Sequence, residues 1–175
     1  KSISVSPSVT TMYRTTWTTA GGCFDVATAT VTVSPKPSVA DKTYTICSGT
    51  AFTLEPKTGD IVPTGTKYSW TVENNANVTG WSPQVAPMAT MSQILTNTSE
   101  VQQVVNYNVT PTYSITTPAL TCTGDPFAVA VTVNAVPTVD YAVPTGDVCP
   151  GSTVTLIATA AHGVEPYSYA WTGAT

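Results

Sequence analysis

The stretch Cys47-Ser-Gly-Thr-Ala-Phe-Thr-Leu54 recurs as Cys149-Pro-Gly-Ser-Thr-Val-Thr-Leu156, with the shared pattern Cys-x-Gly-x-x-x-Thr-Leu. A tryptophan follows each copy: Trp70 stands 23 residues after the first cysteine, and Trp171 stands 22 residues after the second. Agreement in motif, order and spacing indicates an internal repeat. Polar and apolar residues alternate in and after both copies, which favours strands over helices.

A second repeated segment marks the other end of the unit. Val31-Thr-Val33 and Val131-Thr-Val133 lie 100 residues apart, and each follows a cysteine and an alternating stretch. One complete domain is therefore predicted over residues 37–137. Residues 138–175 carry only the opening half of a second domain, and residues 1–36 carry only a closing half.

These two halves fit each other in sequence. Reading residue 175 into residue 1 yields one ordinary strand, turn and strand, whereas half a sandwich alone leaves strand edges unpaired. We expect the second domain to be completed by the next copy, along one long polypeptide or across a subunit contact. An arbitrary or proteolytic fragment is the alternative.

The composition excludes several classes of partner. Charged residues make up 9% of the 175 residues, hydrophobic residues make up 42%, and the net charge is −4. The six Lys and Arg residues are scattered, so we expect no nucleic-acid partner. No apolar run is long enough to span a membrane, so we expect no membrane insertion. A low-charge chain rich in Thr, Val and Pro is typical of an exported protein, and without a signal peptide residue 1 is not expected to be the true N-terminus.

Alternation also predicts where strands lie. They are expected at Ser2–Ser6, Val26–Val33, Thr43–Cys47, Phe52–Leu54, Lys67–Val72, Val104–Thr112, Phe127–Val133, Val154–Ala158 and Ser168–Trp171. Short strands separated by Gly and Pro turns predict an all-β fold of tandem immunoglobulin-like sandwich domains. Trp70 and Trp171 are each placed to fill a core, beneath a disulfide that joins the two sheets.

Several motifs carry a family resemblance. The complete domain contains Tyr68-Ser-Trp70, Tyr107-Asn-Val-Thr-Pro111 and Cys122-Thr-Gly-Asp-Pro-Phe127, and the halves contain Cys149-Pro-Gly-Ser152 and Ser4-Val-Ser-Pro7. In these motifs the whole chain resembles the PKD-like and immunoglobulin-like repeats of very large surface proteins of Bacteroidota, such as gliding-type adhesins. The resemblance implies an extracellular, cell-surface location, secretion by the type IX route, and a role in a stalk or adhesin.

The four cysteines are isolated in sequence. Disulfides are favoured over zinc ligands, because zinc sites use closely spaced Cys-x-x-Cys pairs. The order of the repeats predicts one bond between Cys47 and Cys122 inside the complete domain. It predicts a second bond between Cys149 and Cys23 of the following copy. Free buried thiols are the alternative.

No catalytic arrangement is recognisable in the sequence. His162 is the only histidine, and no nucleophile or carboxylate accompanies it in a motif. Asp140, Asp147 and Glu165 are a weak candidate for a calcium site, because the Asp-x-Asp spacing of such loops is missing. We therefore expect no enzymatic activity, no cofactor and no bound metal.

Two tryptophans, Trp17 and Trp81, are not explained by the core pattern. Either could stack on a glycan, although covering a loop is the more common role for such a residue. The main hypothesis is a structural or adhesive repeat unit of an extracellular bacterial filament, whose partners are copies of itself arranged head to tail. The alternatives are a carbohydrate- or surface-binding accessory module and a pilin-like subunit assembled by strand complementation.

Overall fold

The computed structural model describes residues 2–117, 119–143 and 146–173, and these contain thirteen β-strands and no helix. The strands are β1 (Thr11–Thr18), β2 (Phe24–Val31), β3 (Lys42–Cys47), β4 (Thr50–Thr53), β5 (Lys67–Val72), β6 (Val78–Thr79), β7 (Gln84–Met88), β8 (Ser92–Asn97), β9 (Gln103–Thr116), β10 (Ala119–Thr123), β11 (Phe127–Asn134), β12 (Thr138–Ala142) and β13 (Ile157–Ala161). The prediction of an all-β chain is confirmed.

The central part of the chain forms two sheets that share one core. The larger sheet has the order β3-β11-β9-β5-β7, with β10 paired to β9, and the smaller sheet has the order β4-β8-β6. β3 runs parallel to β11, whereas β9 is antiparallel to both β11 and β5. Buried side chains from both sheets meet in a single hydrophobic cluster. This arrangement is an immunoglobulin-like sandwich.

Alternation along the strands explains which side chains form the core. In β11 the odd-numbered residues from Phe127 to Val133 are buried, and in β9 the odd-numbered residues from Val105 to Pro111 are buried. Successive side chains of a strand point to opposite faces, so a slip of one residue would turn either set toward solvent. Burial therefore fixes the register of β9 against β11.

The chain enters the sandwich at one end and leaves it at the other. β3 begins with Lys42 beside Val129 and ends with Cys47 beside Asn134, the last residue of β11. Because the two strands are parallel, the segment before β3 and the segment after β11 emerge at opposite ends of the sandwich. Outside the sandwich, β1 pairs with β2 and β12 pairs with β13, each as a separate two-stranded sheet.

Several strands differ from the sequence-based prediction. Ser2–Ser6 and Ser168–Trp171 are not strands, and neither pairs with a strand in the ranges that the structure describes. An extended segment needs a neighbouring strand to satisfy its N–H and C=O groups, which explains the difference. β1 and β12 lie where no strand is predicted, and Val154–Ala158 overlaps β13 only in its last two residues.

Candidate interaction surfaces

The ionisable side chains do not form a metal-binding cluster in the described part of the chain. No group of three or more His, Cys, Asp or Glu residues there could hold a metal ion. The weak calcium candidate of Asp140, Asp147 and Glu165 is therefore not assembled. The Nε2 atom of His162 lies 3.8 Å from an Oε1 atom of Glu100, whose side chain is exposed.

One ion pair is buried in the sandwich. Lys42 Nζ lies 2.7 Å from an Oδ2 atom of Asp60, and the two side chains are only 4% and 3% exposed. Asp60 also accepts hydrogen bonds from the backbone N–H groups of Ala40 and Lys57. Burial alone would raise the pKa of Asp60, but these hydrogen bonds and the Lys42 charge outweigh it and lower that pKa. The two charges neutralise each other, so the loss of either partner would leave the other charge buried and unpaired.

Sequence reasoning missed this ion pair, although one signal was present. Lys42 stands two and four residues before Tyr44 and Ile46, so the alternation of β3 places all three side chains on the same face. A lysine on the face that packs toward the core requires an acidic partner. Asp60 supplies it from a turn outside the strands, and nothing in the sequence pattern identifies that particular residue.

Buried amides tie the two sheets together. The side-chain N–H groups of Asn97 donate to the backbone carbonyls of Val101 and Val133, which connects β8 of the smaller sheet to β11 of the larger one. The Tyr107 hydroxyl donates to the side-chain oxygen of Gln93, and burial raises the pKa of Tyr107. In the described ranges, every buried side-chain nitrogen and oxygen has a hydrogen-bond partner. The buried polar side chains of the sandwich are thus satisfied by hydrogen bonds within the protein.

The predicted Cys47–Cys122 disulfide is not formed, and the register shows why. Cys47 lies beside Asn134, one residue beyond the pair of Val133 and Gln103, whereas Cys122 lies opposite Tyr113. At least ten residues of β9 separate these two levels, which is roughly 30 Å at about 3.3 Å per residue. A disulfide requires Cα atoms about 4.4–6.8 Å apart. All four cysteines are free in the structure.

Of the four tryptophans, one is buried, one is partly buried and two are exposed. Trp70 is 6% exposed, and its indole N–H donates to the carbonyl of Ser82. Trp81 packs against the same core, and its indole N–H donates to the carbonyl of Val78 at 2.7 Å. Both the ring and the N–H of Trp81 are engaged with the sandwich, and the interpretation that Trp81 binds a surface or glycan stays a prediction. Trp17 and Trp171 are 60% and 58% exposed.

The first exposed tryptophan belongs to an apolar surface on the β1–β2 pair. Trp17 lines an open depression of about 580 Å³ together with apolar side chains from β1, β2 and the segment before them. We call this surface the N-terminal apolar face, formed by Ile3, Val5, Tyr13, Trp17 and Val31. The prediction that Trp17 binds a surface or glycan stays a prediction, since the ring is accessible.

The second exposed tryptophan belongs to a similar surface on the β12–β13 pair. Trp171 lines an open depression of about 630 Å³. We call this surface the C-terminal apolar face, formed by Val139, Tyr141, Val164, Tyr169 and Trp171, each at least half exposed. Exposed contiguous apolar surface of this kind is typical of an interaction site rather than of a finished domain. The core role predicted for Trp171 stays a prediction, because it refers to a completed second domain.

Comparison with known proteins adds one match. Residues 44–137 match the family model described as the PKD-like domain. The matched segment is more than half of the 175 residues, and it runs from Tyr44, the third residue of β3, to the residue before β12. The search of curated proteins finds no match. In the ranges that the structure describes, no helix has the length and apolar character needed to cross a membrane.

Proposed function

This chain belongs to the PKD-like domain family, and we propose that it serves as a structural or adhesive repeat unit of an extracellular bacterial filament or stalk. The observation that carries the proposal is the combination of one closed sandwich with two apolar faces that stay open on either side of it. A closed sandwich supplies stiffness, and open faces supply the means to join further units.

The chemistry of the sandwich supports a mechanical role rather than a catalytic one. Its buried charges, Lys42 and Asp60, bind each other, and its buried amide Asn97 binds backbone carbonyls. An enzyme needs polar groups that are free to meet a substrate, usually in a cleft. Here the buried polar groups are bound within the sandwich, and Asn97 links its two sheets, as a mechanical module requires.

The domain organisation that we propose follows the repeats. Residues 37–137 are the complete unit, residues 138–175 open a second unit, and residues 1–36 close one. The partners are copies of the same chain arranged head to tail. The surface proteins of Bacteroidota that the motifs resemble provide the biological setting, with export by the type IX route.

The location of the native protein tests this function. In cells that produce it, we expect protease added to intact cells to remove the protein, and antibodies to label unbroken cells, because a filament unit must lie outside the envelope. A cytoplasmic enzyme in the same cells serves as the control and should stay protected. Protection of both proteins until the cells are lysed would refute the extracellular role.

A further inference from the structure

The β1–β2 pair has the same register as β9 and β11 of the sandwich. Tyr13 lies opposite Ala29 in the first pair, and Tyr107 lies opposite Val129 in the second. Ala29 and Val129 are 100 residues apart, which is also the offset between the two Val-Thr-Val segments. The β1–β2 pair is therefore the counterpart of β9 and β11, and Tyr13 takes the place that the buried Tyr107 has in the sandwich.

The β12–β13 pair is the counterpart of a different part of the sandwich. Ser38 forms a β-bridge with Ile61, and Thr138 pairs with Ala161. Both partners are shifted by 100 residues, so the pairing itself is repeated. The Cys-x-Gly motif and its tryptophan follow in the same order in both segments, at distances that differ by one or two residues. Residues 138–173 thus repeat the first part of the sandwich, up to the strand that carries Trp70.

In the complete sandwich the counterparts of these two parts contact each other in two ways. β5 pairs edge to edge with β9, which places Trp70 opposite Val109, and Phe52 of β4 packs on Tyr107 of β9 with ring centroids 5.5 Å apart. Trp70 is 6% exposed, whereas its counterpart Trp171 is 58% exposed. Each terminal pair therefore lacks the strand pairing and the face cover that the other part supplies inside the sandwich.

We propose that residues 138–173 of one copy and residues 2–33 of a second copy combine into a second sandwich, an inference that rests on the proposed head-to-tail function and gives it a mechanism. The equivalent positions place Ser168–Trp171 antiparallel beside β1. Trp171 then lies opposite Thr15, and Ala170 lies opposite Thr16, as Trp70 and Ser69 lie opposite Val109 and Thr110. The N-terminal and C-terminal apolar faces form the new core.

The positions of the β1–β2 and β12–β13 pairs indicate that a second copy, rather than the same copy, completes the second sandwich. Lys36 Nζ lies 2.7 Å from Asp125 just before the start of β11, while His162 lies 3.8 Å from Glu100 near its end. The eight residues of β11 span roughly 25 Å at about 3.3 Å per residue. One copy thus carries its two open faces at opposite ends of the sandwich. A head-to-tail neighbour brings unlike faces together without bending either chain.

The same register changes the expectation for the remaining cysteines. Cys149 corresponds to Cys47, and Cys23 lies at the position next to the counterpart of Cys122. The first sandwich holds Cys47 and Cys122 at opposite ends of one sheet. The second sandwich should likewise keep Cys149 and Cys23 apart. Strand pairing and apolar burial, rather than the predicted disulfide, would then hold the two halves of the second sandwich together.

Engineered cysteines in the full chain test the proposed register. In a background with the four natural cysteines changed to Ser, the pair Thr16→Cys and Ala170→Cys places two thiols directly opposite each other across the junction. Oxidation should yield a ladder of disulfide-linked copies on a non-reducing gel. The control pair Met12→Cys and Ala170→Cys moves one thiol four residues along β1, roughly 13 Å away. We expect at least roughly tenfold more cross-linked dimer from the first pair, because such a distance cannot be bridged.

Each outcome decides one point. Equal ladders from both pairs, or no ladder from either at high protein concentration, would overturn the proposed register. A disulfide formed within one chain, seen as a monomer of altered mobility, would overturn the choice of a second copy. Circular dichroism must first show that the variants retain the β-sheet signal of the parent. A ladder from a protein that proves intracellular would keep the junction and refute only the extracellular function.

Discussion

Asp60→Asn is expected to lower the free energy of unfolding of the sandwich by about 3–5 kcal/mol, because it leaves the buried Lys42 ammonium without its counter-charge. The two side chains are 4% and 3% exposed, so water cannot replace the lost partner. Urea denaturation followed by tryptophan fluorescence measures the change, since Trp70 reports on the core.

Asp125→Asn is the matched control for that measurement. Lys36 and Asp125 are also 2.7 Å apart, but their side chains are 54% and 89% exposed. An exposed pair of this kind contributes about 1 kcal/mol or less. Equal losses in the two variants would show that burial does not govern the energetics of the Lys42–Asp60 pair.

The pH dependence of stability has a defined direction for the same pair. The pKa of Asp60 is held below its ordinary value of 3.8. A carboxyl with a lowered pKa contributes stability that is present above its unfolded pKa and is lost as the pH falls through its folded pKa. The parent should therefore lose stability below about pH 4. Asp60→Asn should lack that part of the loss.

Leu95→Ala is expected to cost about 2–5 kcal/mol, because it removes a side chain that is 0% exposed and leaves a cavity between the two sheets. The neighbouring Ile94 provides the control, since it points to the other face of β8 and is 60% exposed. Ile94→Ala should stay within about 0.5 kcal/mol of the parent. Similar losses from both substitutions would contradict the two-sheet architecture. The same urea denaturation compares them.

The sequence pattern predicts the sandwich because successive side chains of a strand point to opposite faces, so alternation in sequence matches alternation in burial. Phe127–Val133 is a strict alternation, and its odd-numbered residues are the ones that the structure buries. The spacing from the Cys-x-Gly motif likewise leads to Trp70, which lies in the core. Local periodicity depends only on neighbouring residues, so a single sequence is sufficient to read it.

Features that depend on which strands pair with each other could not be predicted from the sequence pattern. The order of the repeats predicts a bond between Cys47 and Cys122, but the pairing of β3 with β11 and of β10 with β9 places the two thiols at opposite ends of the sheet. The role of Trp81 depends on a loop that folds back over the core. Sequence spacing measures distance along the chain, and it carries no information about strand order.

The strand register of the terminal segments adds detail to the repeats found in the sequence. The offset of 100 residues indicated two half-domains, and the structure then showed that Thr138 and Ala161 pair as Ser38 and Ile61 do. The domain boundaries stay a prediction, because the second sandwich requires a second copy. The register predicts that Trp171 lies opposite Thr15 across the junction, and cysteine cross-linking can test this alignment.

The central claim, that these 175 residues are one unit of a long extracellular assembly, is tested most directly by the mass of the native protein under denaturing conditions, without and then with a reducing agent. If successive units belong to one continuous polypeptide, the native protein is a species far larger than the 18.2 kDa of this chain, and reduction leaves its mass unchanged because peptide bonds rather than disulfides join the units. A species of 18.2 kDa under denaturing conditions without reductant would contradict a continuous polymer.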